Sequence, residues 1–174
     1  MSKFENALEF VLPLEGGYNN IKEDAGGATN YGISLRFLKS VGEDLNNDGH
    51  VDINDIVEIT HSQSAELYKK YFWDHYKLYN IQDQFIANRA FSFFVNMRGK
   101  TAATIFQRAV RACGFDIVED GILGTKSFNL INSIHPSVYL PALRSEAAAV
   151  YRLIVANNQT QSKFLNGWLK RAYL

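Results

Sequence analysis

The sequence predicts an all-α domain that carries one small β-hairpin. Two observations lead there. Apolar residues recur at three- and four-residue spacing through most of the chain, the period of a helix with one buried face. One stretch, Leu14 to Ser34, breaks that period with the glycine pairs Gly16-Gly17 and Gly26-Gly27. Such pairs let the backbone fold back on itself, and this segment holds the only β-structure expected.

The helices follow in order. Ser2 with Glu5 forms a capping box ahead of an apolar face at Phe4, Ala7, Leu8, Val11 and Leu12, and Pro13 with the glycines marks the end. Glu15 is therefore expected at or just past a helix C-terminus. An irregular hairpin over Tyr18 to Ile33 comes next, and Ser34 can cap a brief helix through Val41. Thr60 with Gln63 opens a helix bearing Ala65, Tyr68, Tyr71 and Phe72 on one side. Ile86 to Val95 is apolar nearly all round and should be the buried spine. Lys100 to Cys113 is a helix closed by Gly114, with Cys113 as a core residue. A turn at Asp120-Gly121-Ile122-Leu123-Gly124-Thr125 precedes a further helix. Pro136 opens another helical region, with Pro141 in its first turn or kinking it, and Arg144 to Val155 continues until Asn157-Asn158. Ser162 to Ala172 is the last helix, with Phe164, Leu165, Trp168 and Leu169 facing the core. The expected organisation is a first region over 1–92 and a second over 93–174, packed as one globule.

Composition narrows the function. Apolar residues make up 47% of 174, enough for a core without staples, and the single cysteine excludes an intramolecular disulfide. Net charge is zero and the basic residues are dispersed, which argues against nucleic acid as a partner. The charge is unevenly placed: residues 1–88 carry −7 and residues 89–174 carry +7. A basic half suits an anionic polymer. No signal peptide is visible and no stretch approaches the ~20 apolar residues of a membrane span. The expectation is a monomer made in the cytoplasm that reaches its place of action by release or by another protein's export route. The four histidines show no zinc spacing, and neither a nucleophilic-serine elbow nor a phosphate-binding glycine loop occurs.

The chemistry concentrates in the Leu14–Ser34 stretch. A fold-back there would bring Asp24 and Thr29 toward Glu15, and two carboxylates facing one cleft are the minimum for cleaving a glycosidic bond. The bland alternative is a polar turn with nothing bound. The run Glu15-Gly16-Gly17-Tyr18, Asp24, Gly26-Gly27-Ala28-Thr29 and Gly32-Ile33-Ser34 resembles glycoside hydrolase family 108, bacterial and phage N-acetylmuramidases. The order Glu, Asp, Thr also resembles phage-type lysozymes, with the gap from Asp24 to Thr29 one residue shorter. The resemblance implies a lysozyme-like fold and hydrolysis of the β-1,4 bond between N-acetylmuramic acid and N-acetylglucosamine in peptidoglycan. It implies catalysis by Glu15, Asp24 and Thr29, and a C-terminal peptidoglycan-binding region. Weaker supports are the Trp73 segment, Asn96, the Asp120 turn, and Gly167-Trp168 with Arg171; Ser92 stands where relatives are expected to carry an aspartate. Tyr18, Tyr31, Trp73, Tyr76 and Asn96 are the candidate substrate contacts. Sugar rings stack on aromatic faces, although a packed core edge explains most of the cluster from Tyr68 to Tyr79 as well. The competing class is a non-catalytic, calcium-stiffened peptidoglycan-binding or secretion-accessory protein. A chitin-type hydrolase is a third reading.

Residues 44–55 match an EF-hand calcium loop. Oxygen-bearing side chains fall at positions one, three, five, nine and twelve, namely Asp44, Asn46, Asp48, Asp52 and Asp55; Gly49 sits at six and Val51 at eight. His50 would contribute its main-chain carbonyl. The departure is Asp55, where a bidentate glutamate is usual. The ion would be structural, and a solvated Asx-rich turn is the alternative.

Overall fold

The computed structural model describes residues 1–15 and 28–174, with Glu15 described by its main chain only. Among these residues the fold is helical with one two-stranded sheet, as the sequence predicts. α1 (Phe4–Glu15) packs along α5 (Gln84–Asn96), the spine. Ile86, Ala87, Ala90, Phe91, Phe93 and Phe94 of α5 are all buried, so the helix that reads apolar nearly all round is buried on most sides, with Phe85 at its start exposed. Asp83 caps it by accepting the Ile86 amide at 2.9 Å. The start of α1 differs from expectation. Ser2 does not cap it; its hydroxyl is buried without a hydrogen-bond partner, and the main chain of Lys3 is instead gripped by the Gln84 side chain.

Of the irregular hairpin expected over Tyr18 to Ile33, residues 18–27 lie outside the described residues. β1 (Thr29–Asn30) pairs antiparallel with β2 (Ile33–Ser34) through a two-residue turn. Both turn residues have left-handed φ, 48° at Tyr31 and 75° at Gly32, the requirement of a type I′ turn. Ser34 caps α2 (Leu35–Val41) as expected, and Gly42 ends it at φ 70°. α3 (Ile53–Glu58) and α4 (His61–Tyr68) follow, and α4 carries the full Thr60–Gln63 capping box.

After α4 the helix widens into a π turn over Lys69–Asp74. A π turn aligns residues five apart. Trp73 therefore falls beneath Tyr68, and both are buried against Phe91. α6 (Gly99–Ala112), α7 (Thr125–Ser133), α8 (Pro136–Asn157) and α9 (Leu165–Tyr173) build the second half around α8. Pro136 starts α8 and Pro141 sits within it. A 3-10 segment, Gln159–Phe164, precedes α9, which shortens the last helix relative to the sequence reading. Phe164 is exposed rather than core-facing, and Cys113 is half-buried at the end of α6, its thiol pushed up by burial. Among the described residues no helix is long and apolar enough to cross a membrane.

Candidate active site

α1 ends at Glu15, as the glycines after it require. The last turn of α1 borders a cavity of about 440 Å³ whose walls include Pro13 and Leu14 from α1, Asn96 at the end of α5, and Lys163, Phe164, Trp168 and Lys170 around the start of α9. Among its described lining residues none is acidic and four are basic or amide-bearing: Asn96, Lys163, Lys170 and Arg171. Three internal contacts hold the walls. Trp168 stacks on Tyr151 at 5.4 Å and 20°, the Tyr151 hydroxyl donates to Asn96 Oδ1 at 2.8 Å, and Arg171 Nη1 donates to Ser92 Oγ at 3.1 Å. The hydroxyl of Ser92, at the position expected to hold an aspartate, therefore anchors the final helix to the spine.

The other sequence candidates are distributed as follows. Thr29 opens β1 and pairs across the sheet with Ser34. Tyr31 occupies the hairpin turn; its ring meets His61 edge-on at 5.8 Å and its carbonyl accepts the Tyr68 hydroxyl at 3.1 Å. Tyr18, Asp24 and the Glu15 side chain lie outside the described residues. Trp73 corrects the sequence reading: it is 3% exposed and edge-packed on Phe4 and Phe91, so no sugar reaches it. Tyr76 lies elsewhere. Its ring tilts over Phe94 at 4.2 Å and faces a second cavity, of about 430 Å³, shared with Lys100 and Gly121 to Gly124. Burial holds its phenol above the usual tyrosine range. Gly99 is required there, because a Cβ would overlap the Tyr76 hydroxyl.

The 44–55 loop is closed by its own side chains. Asp44 accepts the amides of Asn47 and Gly49 at 2.7 and 2.8 Å, and Asp48 accepts that of His50 at 2.9 Å. Asn46 accepts the Asp48 amide at 3.1 Å and Asp52 that of Asn54 at 2.8 Å. Asp55, fully buried, accepts the Leu45, Asn46 and Asp52 amides at 2.7, 3.3 and 2.8 Å. Among the described residues no three His, Cys, Asp or Glu side chains are grouped as a metal site. Asp44, Asn46, Asp48, Asp52 and Asp55 are hard oxygen donors, the type of side chain that could hold calcium, and the first three alternate along the loop.

Sequence reasoning missed the far wall of the first cavity. Trp168 reads as a core residue by spacing, and it is half-buried: one face stacks on Tyr151 while its rim lines the cavity. The Lys163 and Lys170 pair carries no motif, and only the basic excess of the second half hints at it.

A lysozyme-like helical domain whose first helix ends at the lip of a cationic, tryptophan-walled cleft is the frame of a glycoside hydrolase acting on cell-wall polymer. The family described as Glycosyl hydrolase 108 matches residues 8–98, and the one described as Predicted Peptidoglycan domain matches residues 101–173. The chain belongs to glycosyl hydrolase family 108 and is a peptidoglycan hydrolase. Among solved structures, "Structure of Brucella abortus SagA" aligns with a TM-score of 0.75 at 21% identity, covering 97% of this chain and 88% of that one, a likeness of fold. No curated protein matches this chain.

Proposed function

We propose that the protein is an N-acetylmuramidase that hydrolyses the β-1,4 bond from N-acetylmuramic acid to N-acetylglucosamine. The observation that carries this reading is the end of α1 at Glu15, beside the Asn96–Trp168 cleft. A helix C-terminus disfavours a carboxylate and raises its pKa, which suits a group that must hold a proton near neutral pH. Glu15 acts as the general acid and protonates the leaving glycosidic oxygen. Asp24 deprotonates an attacking water or stabilises the cationic sugar, and Thr29 holds that water through its hydroxyl. A water between the carboxyl groups needs a separation of ~6.5–9.5 Å and inverts the anomer; inversion is the outcome proposed. The glycan crosses the cleft with Trp168 beside a sugar ring, and Lys163 and Lys170 face the carboxylates of the peptide stems.

The test is Glu15→Gln, which keeps the shape and removes the proton. It should abolish turbidity clearing of purified cell walls and the release of reducing ends, while co-sedimentation with the walls persists. Wild-type rates in that variant would sink the assignment. We propose further that the 44–55 loop takes calcium through Asp44, Asn46, Asp48, the His50 carbonyl, Asp52 and Asp55. The ion stiffens the fold and enters no catalytic step. Calorimetric titration of metal-stripped protein should give heat that Asp48→Ala removes; no heat in either removes the metal. The chain acts on the wall as a monomer.

A further inference from the structure

The cavity that Tyr76 faces does not stand by itself. A larger one, of about 550 Å³, opens beside it, and the two share Lys77, Leu123 and Gly124 as walls. Together they make one groove along a seam. One bank is the 75–82 stretch of the Glycosyl hydrolase 108 segment, and the other is the 121–132 stretch of the peptidoglycan-domain segment. Met1 lines this groove, whereas Pro13 and Leu14 line the Asn96–Trp168 cleft. The two sites therefore stand at opposite ends of α1, whose 12 residues span about 18 Å.

The banks are fixed by bonds within the protein. Asn132 of α7 accepts the Gln82 amide at 2.9 Å and donates to the Asn80 carbonyl at 2.8 Å, which ties one bank to the other. Lys77 holds a left-handed φ of 54°, unfavourable for a residue with a side chain, and its carbonyl accepts both the Asn80 amide and the Asn80 side chain. Gly124 lies where the two cavities meet. It caps α7 at φ −93°, an extended backbone that any residue adopts, and an added Cβ would meet nothing within 4 Å. Neither the turn nor the packing calls for a glycine there, and a helix start is better served by Ser or Asp. A glycine at that place leaves bare main chain on the floor of the groove, open to close approach by a bound molecule.

The walls set the class of that molecule. None of the described lining residues is acidic. Lys77 and Lys100 bring cations, Asn129 an amide, and Tyr76 and Tyr79 phenol rings. Lys77, Tyr79 and Asn129 are exposed. Asp120, in the same turn as Gly124, is already occupied by Gln107 and the Ile122 amide. Such a lining suits a polymer rich in oxygen acceptors, neutral or anionic, whose rings can lie on aromatic faces. A chain of acetamido sugars bearing carboxylates has that chemistry.

We propose that this groove is a second binding site for a peptidoglycan glycan strand, one that grips the polymer while the Asn96–Trp168 cleft cuts it. The proposal rests on peptidoglycan as the substrate and not on Glu15 as the acid. Two linked contacts hold a polymeric wall far longer than either alone.

The experiment follows backbone amide shifts of the full chain carrying Glu15→Gln as a short, peptide-stripped glycan fragment of the wall is added. Two separate groups of signals should move, one around Asn96 and Trp168 and one at Tyr79 and Gly121 to Thr125. Gly124→Trp, which fills the floor, should abolish the second group, keep the first, and weaken co-sedimentation with intact walls roughly tenfold or more. Gly124→Ser adds only a small cap and should keep both groups. Tyr79→Ala, at an exposed ring, reads the same loss should Gly124→Trp not fold. Movement of the second group alone supports the groove and counts against the cleft. Silence of the second group in the parent chain, or its persistence in Gly124→Trp, overturns the groove. Movement only with fragments that keep their peptide stems overturns the glycan strand as its ligand.

Discussion

Two acidic, glycine-bearing turns in this molecule solve the same problem in opposite ways. The 44–55 loop satisfies its amides from within, with Asp44, Asp48 and Asp55 each accepting main-chain N–H groups of the loop itself. The 120–125 turn is held partly from outside. Gln107 of α6, 1% exposed, donates to Asp120 Oδ1 at 2.6 Å and to the Ile122 carbonyl at 3.1 Å, and accepts the Gly121 amide at 2.9 Å. The first loop takes one bond from outside, Gln63 Nε2 on the Leu45 carbonyl at 3.1 Å, and meets its amides with its own side chains. The second is clamped by three bonds from one side chain of another helix, which ties the turn before α7 to α6. The difference teaches that similar composition, Asp and Gly in a short run, does not signal similar purpose.

Substitutions can break this contrast. The largest effect is expected from Asp55→Ala, which leaves three amides of the self-closed loop without their buried acceptor. A loss of about 3 kcal/mol should follow, read as a fall in Tm of roughly 6–12 °C. Gln107→Ala tests the clamp and should cost about 1–3 kcal/mol by urea unfolding, with amide exchange rising at Gly121 and Ile122 and not at Gly49. If exchange rises equally in both turns, they are coupled and the contrast fails. Gly121→Ala should cost about 1–2 kcal/mol, because φ is 76° and the added Cβ would press on Lys100. The smallest effect is a matter of pH. Hydrogen bonds from Gln107 and then from the Ile122 amide hold the Asp120 carboxyl below the usual carboxylate range. A depressed folded-state pKa adds stability above the unfolded value that is lost as pH falls through the folded one. Ile122 amide protection should therefore persist through mild acid and fade only below the ordinary aspartate range, whereas in Gln107→Ala it should fade earlier.

Much of the fold was legible because local and tertiary demands agreed. Ser34, Thr60 with Gln63, and the apolar run of α5 each act as their spacing predicts. The failures have physical causes. Trp73 was offered as a sugar contact because sugar rings stack on aromatic faces, whereas packing in the π turn buries it. Arg89 and Arg171 are buried although arginine is mostly an exposed residue type, which only packing reveals. At the cleft, Asn96 is a residue that the sequence singles out and that lines the cavity. The far wall was not legible, since Trp168 is supported by Tyr151, a partner 17 residues away that no periodicity announces.

The phenol of Tyr151 touches both walls of that cleft, stacking on Trp168 and bonding Asn96. The two halves are consequently not interchangeable parts. A chimera that imports its second half from a cousin would inherit a working groove only if the donor brings a tyrosine to this place and the recipient keeps its asparagine.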